Sequence, residues 1–153
     1  MTAEPDNNGA DTLLFVYGTL RKQHPSQNHQ AFAKDWRWLA KGYLPGKLYE
    51  AGGYPGAVLS ENTNDRVLGE IYAINDSVAT FSRLDAYEEC TDSFPKPHEY
   101  IRTQQLVYGQ NGQAMMAWVY LYNWGTNPLA LIPSGDYLAK LQGMGALSRN
   151  GTK

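Results

Sequence analysis

Apolar residues run unbroken from Leu13 to Val16 and stop at Tyr17-Gly18-Thr19-Leu20, the pattern of a buried strand ending in a glycine turn. Alternating positions from Trp36 to Tyr43 predict a second strand. Lys47–Glu50 resumes the extended pattern beyond a bend expected at Pro45-Gly46. Gly52-Gly53-Tyr54-Pro55-Gly56 predicts irregular backbone. Ala57–Leu59 and Val67–Ile74 read as strands around an Asn62-Thr63-Asn64-Asp65 turn. Tyr100–Tyr108 and Gln113–Tyr122 flank Gln110-Asn111-Gly112, the strongest hairpin signal in the chain. Two stretches switch to helical spacing. One follows Pro25-Ser26, from Gln27 to about Lys34; the other covers 76–88, with Asn75 or Asp76 as cap and Val78, Phe81 and Leu84 as its apolar stripe. Ile132–Leu138 predicts a turn into a short closing element. Many strands around one central helix specify an α+β fold with a strongly curved or closed sheet.

Hydrophobic residues fill 42% of the 153 positions and charged ones 18%, a balance that supports a packed core and excludes a disordered chain. Residues 12–147 are expected to form a single domain, with 1–11 and 148–153 as polar, flexible tails. A net charge of −2 with scattered basic residues leaves no concentrated phosphate-binding face, so nucleic acid is not an expected partner. Cys90 is the only cysteine, which rules out an intrachain disulfide and a cysteine-held metal. Beside Glu89 and without an adjacent cation, it is not expected to be a reactive thiol. No apolar run approaches the ~20 residues of a membrane span. Met1–Asp11 lacks the basic and apolar regions of a signal peptide. A cytoplasmic protein without membrane contact is therefore expected.

Two features carry candidate chemistry. Gly18 lacks a Cβ, so main-chain N–H groups there can come close to a ligand carboxylate or carbonyl; an ordinary strand end is the plainer reading. Glu88 lies seven and four positions after Phe81 and Leu84, so helical phase turns it toward the core. Burial penalises an ionised carboxyl and lifts its pKa toward neutrality, which suits a group that accepts a proton and later returns it. The alternative is a helix-end glutamate that reaches water or a loop N–H. Glu89, a quarter-circle away, is expected to be solvated. Asp85 is expected to be scaffolding, bonded to nearby backbone or to Arg83. His24, His29 and His98 lack paired spacing, so no metal site is expected. Ser60, Ser77 and Ser82 lack a nucleophile elbow, and Gly52, Gly53 and Gly56 form no phosphate loop. Tyr100 and Arg102 share one strand face, as do Trp118 and Tyr120, so each pair could line one cavity.

Seven short motifs fall in order along residues 13–138: Tyr17-Gly18-Thr19-Leu20, Gly46-Lys47-Leu48-Tyr49, Tyr54-Pro55-Gly56, Leu84-Asp85-Ala86-Tyr87-Glu88, Tyr100-Ile101-Arg102, Trp118-Val119-Tyr120 and Ser134-Gly135-Asp136. This ordered set resembles the γ-glutamyl cyclotransferase-like family, which includes γ-glutamylamine cyclotransferases, the deprotecting cyclotransferase of butirosin biosynthesis and avirulence-induced plant proteins. The resemblance implies a small mixed β-barrel with flanking helices and a cavity at one barrel mouth. It implies that the backbone of Tyr17, Gly18, Thr19 and Leu20 grips a glutamyl moiety, that Tyr54 and Tyr120 line the pocket, and that Glu88 is the catalytic acid/base. The implied reaction is intramolecular aminolysis of a γ-glutamyl amine or γ-glutamyl amino acid, releasing 5-oxoproline without metal or other cofactor. Family members often carry glycine directly after the catalytic glutamate, where this chain has Glu89. The loop from Cys90 to Glu99, with Pro95 and Pro97, is expected to overhang the site. A non-catalytic module that binds a small molecule on the same barrel is the alternative. Neither the leaving amine nor the oligomeric state is specified by the sequence.

Overall fold

The computed structural model describes residues 12–143, so the predicted tails at 1–11 and 148–153 lie outside the described residues. The elements are β1 (Thr12–Val16), α1 (Asn28–Phe32), β2 (Trp36–Glu50), β3 (Pro55–Leu59), β4 (Arg66–Ile74), α2 (Ser77–Tyr87), β5 (Tyr100–Gly109), β6 (Ala114–Tyr122) and β7 (Ala130–Leu131). A third helix, α3, begins at residue 137 and continues through 143.

Five strands close into a barrel in the order β2-β4-β1-β6-β5, with β5 returning to β2 through Gly42↔Gly109 and Tyr43↔Tyr108. The pairing of β1 with β6 is parallel and the other barrel pairings are antiparallel, so the barrel is mixed. β1 explains its own sequence. Leu13 and Phe15 point into the barrel with Leu44, Ile71, Val107 and Val119. Leu14 and Val16 point outward, into a second apolar layer with Ile74, Phe81 and Leu84 beneath α2. A strand covered on both faces loses the polar half of its alternation, hence the unbroken run.

β2 corrects one expectation. Pro45-Gly46 does not interrupt the extended backbone; one strand of 15 residues continues through it. Its first part, to Pro45, pairs with β4, and from Gly46 it pairs with β3. Proline brings no N–H to this handover, and its carbonyl accepts from Ser60 N at 3.3 Å. Gly46 fits because a Cβ there would sit 2.4 Å from the Val58 carbonyl oxygen. The turn-like dipeptide thus reflects a tertiary contact, which overrides its local preference.

α2 starts as expected: Asp76 Oδ1 accepts the Ala79 N–H at 3.1 Å. Its buried residues are Thr80, Phe81 and Leu84, whereas Val78 is 83% exposed. The helical period gives the reason. Positions 80 and 81 lie one turn before Leu84, while 78 is six residues away and about 240° round. Glu88 lies one turn after Leu84, on the buried side. The helix closes with Cys90 N donating to Asp85 O at 2.9 Å and Glu89 N to Ala86 O at 3.1 Å, a Schellman pair. Among the described residues, no helix is long and apolar enough to cross a membrane.

Candidate active site

A cavity of about 320 Å³ opens where the end of β1, the turn before β3, the C-terminus of α2 and the start of β5 converge. All seven residues singled out from sequence line it: Tyr17, Gly18, Thr19, Leu20, Tyr54, Glu88 and Tyr120. Tyr100, which the strand alternation offers as a cavity residue, also lines it, as do Tyr87, Glu89 and Glu99, which the sequence does not mark as site residues. Glu99 is the important omission. It ends the predicted overhanging loop, outside any periodic element, so no spacing marks it.

The loop after β1 is fixed from three sides. A Cβ on Gly18 would sit 2.5 Å from Pro55 Cγ, so the proline ring dictates glycine there. The expected reason, close approach of a ligand, is thus not what fills the space beside its α-carbon. Arg21 anchors the loop's far end, with Nε donating to Glu70 Oε2 at 3.2 Å and Nη1 to Asp136 Oδ1 at 3.0 Å. Thr19 Oγ1 and the Tyr87 hydroxyl lie 2.8 Å apart, and Asn28 Nδ2 donates to that hydroxyl at 2.7 Å. No described residue accepts a hydrogen bond from the N–H groups of Gly18, Thr19 or Leu20. Three adjacent amides on a braced loop supply hydrogen-bond donors for a carboxylate or oxyanion.

The aromatic wall is braced as well. Tyr17 donates its hydroxyl to the Tyr120 carbonyl at 2.7 Å and accepts from Ala57 N at 3.1 Å. Tyr100 donates to the Pro55 carbonyl at 2.6 Å. Burial raises the pKa of both phenols well above the usual tyrosine value, so they remain neutral.

Glu88 sits against this wall with no hydrogen bond from any described residue to its carboxyl. Burial, reinforced by the charges of Glu99, Asp85 and Glu89, pushes its pKa up to about 8. A proton on that group is therefore exchangeable near neutral pH. Glu89 is exposed, as expected from its phase.

Asp85 is scaffolding, but its partner is Arg102 and not Arg83. Arg102 donates Nε to Oδ1 at 2.9 Å and Nη2 to Oδ2 at 3.2 Å, while the Tyr120 hydroxyl donates to Oδ1 at 2.7 Å. The guanidinium also lies over the rings of Phe81 and Trp118, 4.3 and 4.6 Å from their centres. The two strand-face pairs consequently split. Tyr100 and Tyr120 line the candidate cavity, and Arg102 and Trp118 line a separate depression with Phe81 and Asp85. Burial and the neighbouring Asp85 push the Cys90 thiol up to about 12, so it stays protonated. Among the described residues, no group of three or more His, Cys, Asp or Glu side chains is placed to hold a metal ion.

Comparison with known proteins agrees with this geometry. The profile of the γ-glutamyl cyclotransferase, AIG2-like family matches residues 14–139. The chain belongs to that family. Its relatives include the γ-glutamylcyclotransferase family protein YtfP of Escherichia coli K12, 34% identical over 132 residues that cover 82% of this chain and 95% of YtfP. The solution NMR structure of E. coli YtfP aligns with a TM-score of 0.57 over 84% of this chain and 98% of that one. An AIG2-like protein from Mus musculus shares the fold, with a TM-score of 0.64 at 23% identity, covering 83% of this chain and 94% of its own. YkqA of Bacillus subtilis aligns over 89% of this chain with a TM-score of 0.67 and 25% identity, and this chain spans 43% of that longer protein. Within this AIG2-like family frame, the barrel, the glycine loop and the carboxyl at the helix end form one constellation.

Proposed function

We propose that the protein is a γ-glutamyl cyclotransferase that releases 5-oxoproline from a γ-glutamyl amine or γ-glutamyl amino acid. The observation that carries this reading is the Glu88 carboxyl, partly buried and without a hydrogen-bond partner among the described residues, in a cavity also lined by a loop whose three amides find no acceptor among those residues. Family membership supports the reaction type.

The chemistry follows from those two parts. The substrate's α-ammonium must lose a proton before its nitrogen becomes a nucleophile, and the Glu88 carboxylate takes that proton. The freed amine attacks the γ-carbonyl carbon of the same molecule and closes a five-membered ring. As the amide C–N bond breaks, the departing nitrogen receives the proton held by Glu88, and the second proton of the attacking nitrogen passes by way of the freed Glu88 carboxylate to the released amine, leaving a neutral lactam and an ammonium ion. Atoms and charge balance with no further reactant. The amides of Gly18 to Leu20 hold the α-carboxylate or the developing oxyanion. Because nucleophile and electrophile share one molecule, enforcing the folded conformer supplies much of the remaining rate.

The test is direct. Incubated with γ-glutamyl amines, γ-glutamyl amino acids and glutathione, the protein should liberate 5-oxoproline from at least one. Glu88→Gln should abolish release while ligand binding persists, with Glu89→Gln as the companion variant. Binding by the wild type without product would establish a non-catalytic module instead. Undiminished turnover in Glu88→Gln would remove that residue from the mechanism.

A further inference from the structure

We infer that the site selects γ-glutamyl substrates whose leaving amine carries a second positive charge, received at the cavity's open end by Glu89, Glu99 and the ring of Tyr54. This rests on the cyclotransferase reading and adds the class of leaving group to it.

Burial sets the direction in which the leaving group points. The inner end of the cavity is closed by Phe15, Val16, Tyr17 and Tyr120, all buried. The outer end is formed by Gly53, Tyr54, Glu89 and Glu99, of which Gly53, Tyr54 and Glu89 are exposed. With the glutamyl moiety held between the Gly18–Leu20 loop and Glu88, the amine part must extend outward past Tyr54 and the two outer carboxylates.

Charge then decides what can follow that path. Among the described residues, the side chains lining the cavity include three glutamates and neither lysine nor arginine. The arginines nearest in sequence to the lining are committed elsewhere: Arg21 to Glu70 and Asp136, Arg102 to Asp85. The field of the outer pair is felt within the cavity, since Glu99 and Glu89 both disfavour ionisation of Glu88 and of Tyr54. Glu88 itself, partly buried and without a hydrogen-bond partner among the described residues, marks this lining as a place built for a ligand. Tyr54 donates its hydroxyl to both Glu99 oxygens, at 3.1 and 3.2 Å, which fixes that carboxylate at the hydroxyl end of the ring. An aromatic face next to two carboxylates suits an alkylammonium ion through charge and cation–π attraction. A leaving group that ends in a carboxylate, as every γ-glutamyl amino acid and glutathione does, meets only like charge there.

Three probes of equal chain length isolate the effect: γ-glutamyl-1,4-diaminobutane, γ-glutamylbutylamine and γ-glutamyl-4-aminobutyrate, ending in ammonium, methyl and carboxylate. For the wild type at low ionic strength, kcat/KM for 5-oxoproline release should fall at least ~10-fold from the first to the second and again to the third. Added salt should compress the series, and Glu89→Gln/Glu99→Gln should flatten it. Calorimetric affinities measured on Glu88→Gln should follow the same order without turnover. Equal rates and equal affinities across the three, or preference for the carboxylate, overturn the inference. An undiminished order in the folded double variant overturns the assignment to these glutamates. Charge-ordered binding with no product from any probe overturns the cyclotransferase reading and leaves the selectivity standing.

Discussion

Arg102 grips Asp85 through two parallel contacts, Nε to Oδ1 at 2.9 Å and Nη2 to Oδ2 at 3.2 Å, one helical turn before Glu88. The pair lies behind the cavity wall and does not line the cavity with Glu88. It neutralises a carboxylate whose charge otherwise weighs on the partly buried Glu88. Arg102→Met should therefore strip that compensation and raise the Glu88 pKa further above about 8. The expected result is an upward shift in the pH midpoint of 5-oxoproline formation, partly reversed in Arg102→Lys, which restores charge but not the two-point geometry. Urea unfolding should show a loss of about 1–3 kcal/mol for the methionine variant. A midpoint that stays fixed while stability falls would reduce Arg102 to packing alone.

Glu88 should also cost the fold stability at the pH where it works. Its folded pKa lies above the ordinary carboxyl value of 4.5, at about 8, so the folded state binds the proton more tightly than the unfolded chain. The sign is the reverse of a salt-bridged carboxylate. The stabilisation from that proton is complete below pH 4.5 and disappears as pH rises through about 8. Glu88→Gln carries no such titration. It should match the wild type near pH 4 and exceed it by about 1–4 kcal/mol at pH 9, measured by denaturant unfolding across the range. A constant difference across pH would mean that the carboxyl is not held out of water.

What the sequence disclosed and what it concealed divide along the range of the interaction. Period 3.6 placed Glu88 on the buried side of α2 because Leu84 lies one turn away, and the two-sided burial of β1 was written in its unbroken apolar run. Asp85 was legible as scaffolding, yet its partner stands 17 residues on in the sequence, across a strand that only the folded barrel brings near. Glu99 reached the cavity from a loop, where no period exists to read. Tyr100 and Arg102 do share a strand face, but two residues along a strand span nearly 7 Å. That separation is enough for them to enter different cavities.

Gly18 offers a test of why the loop is glycine. A methyl group there would overlap the Pro55 ring, with 2.5 Å between its Cβ and Pro55 Cγ. Both residues line the cavity, so any adjustment displaces one of its walls. Gly18→Ala should lose about 1–3 kcal/mol of stability and weaken ligand affinity together. Trimming the ring in Gly18→Ala/Pro55→Ala should recover stability relative to the single variant, a coupling that a double-mutant cycle reads directly. Simple additivity of the two changes would show that the ring is not what excludes a side chain.

Glu89 occupies the C′ position of α2 with φ at +59°, in the left-handed region where glycine is at ease and other residues are not. The Schellman hydrogen bonds from Glu89 and Cys90 impose that conformation. Glu89→Gly should relieve it and gain about 0.5–1 kcal/mol, whereas Glu89→Ala removes the same charge yet keeps the strain. The alanine variant separates backbone from electrostatics. Both substitutions should lower the Glu88 pKa, because Glu89 is one of the charges that raise it. Only glycine should also raise the unfolding midpoint. If both variants lose discrimination between the cationic and anionic probes while only glycine gains stability, the carboxylate at 89 is held there for substrate choice against the preference of its own backbone. Equal stabilities for the two variants would mean that the left-handed turn carries no cost at this helix end.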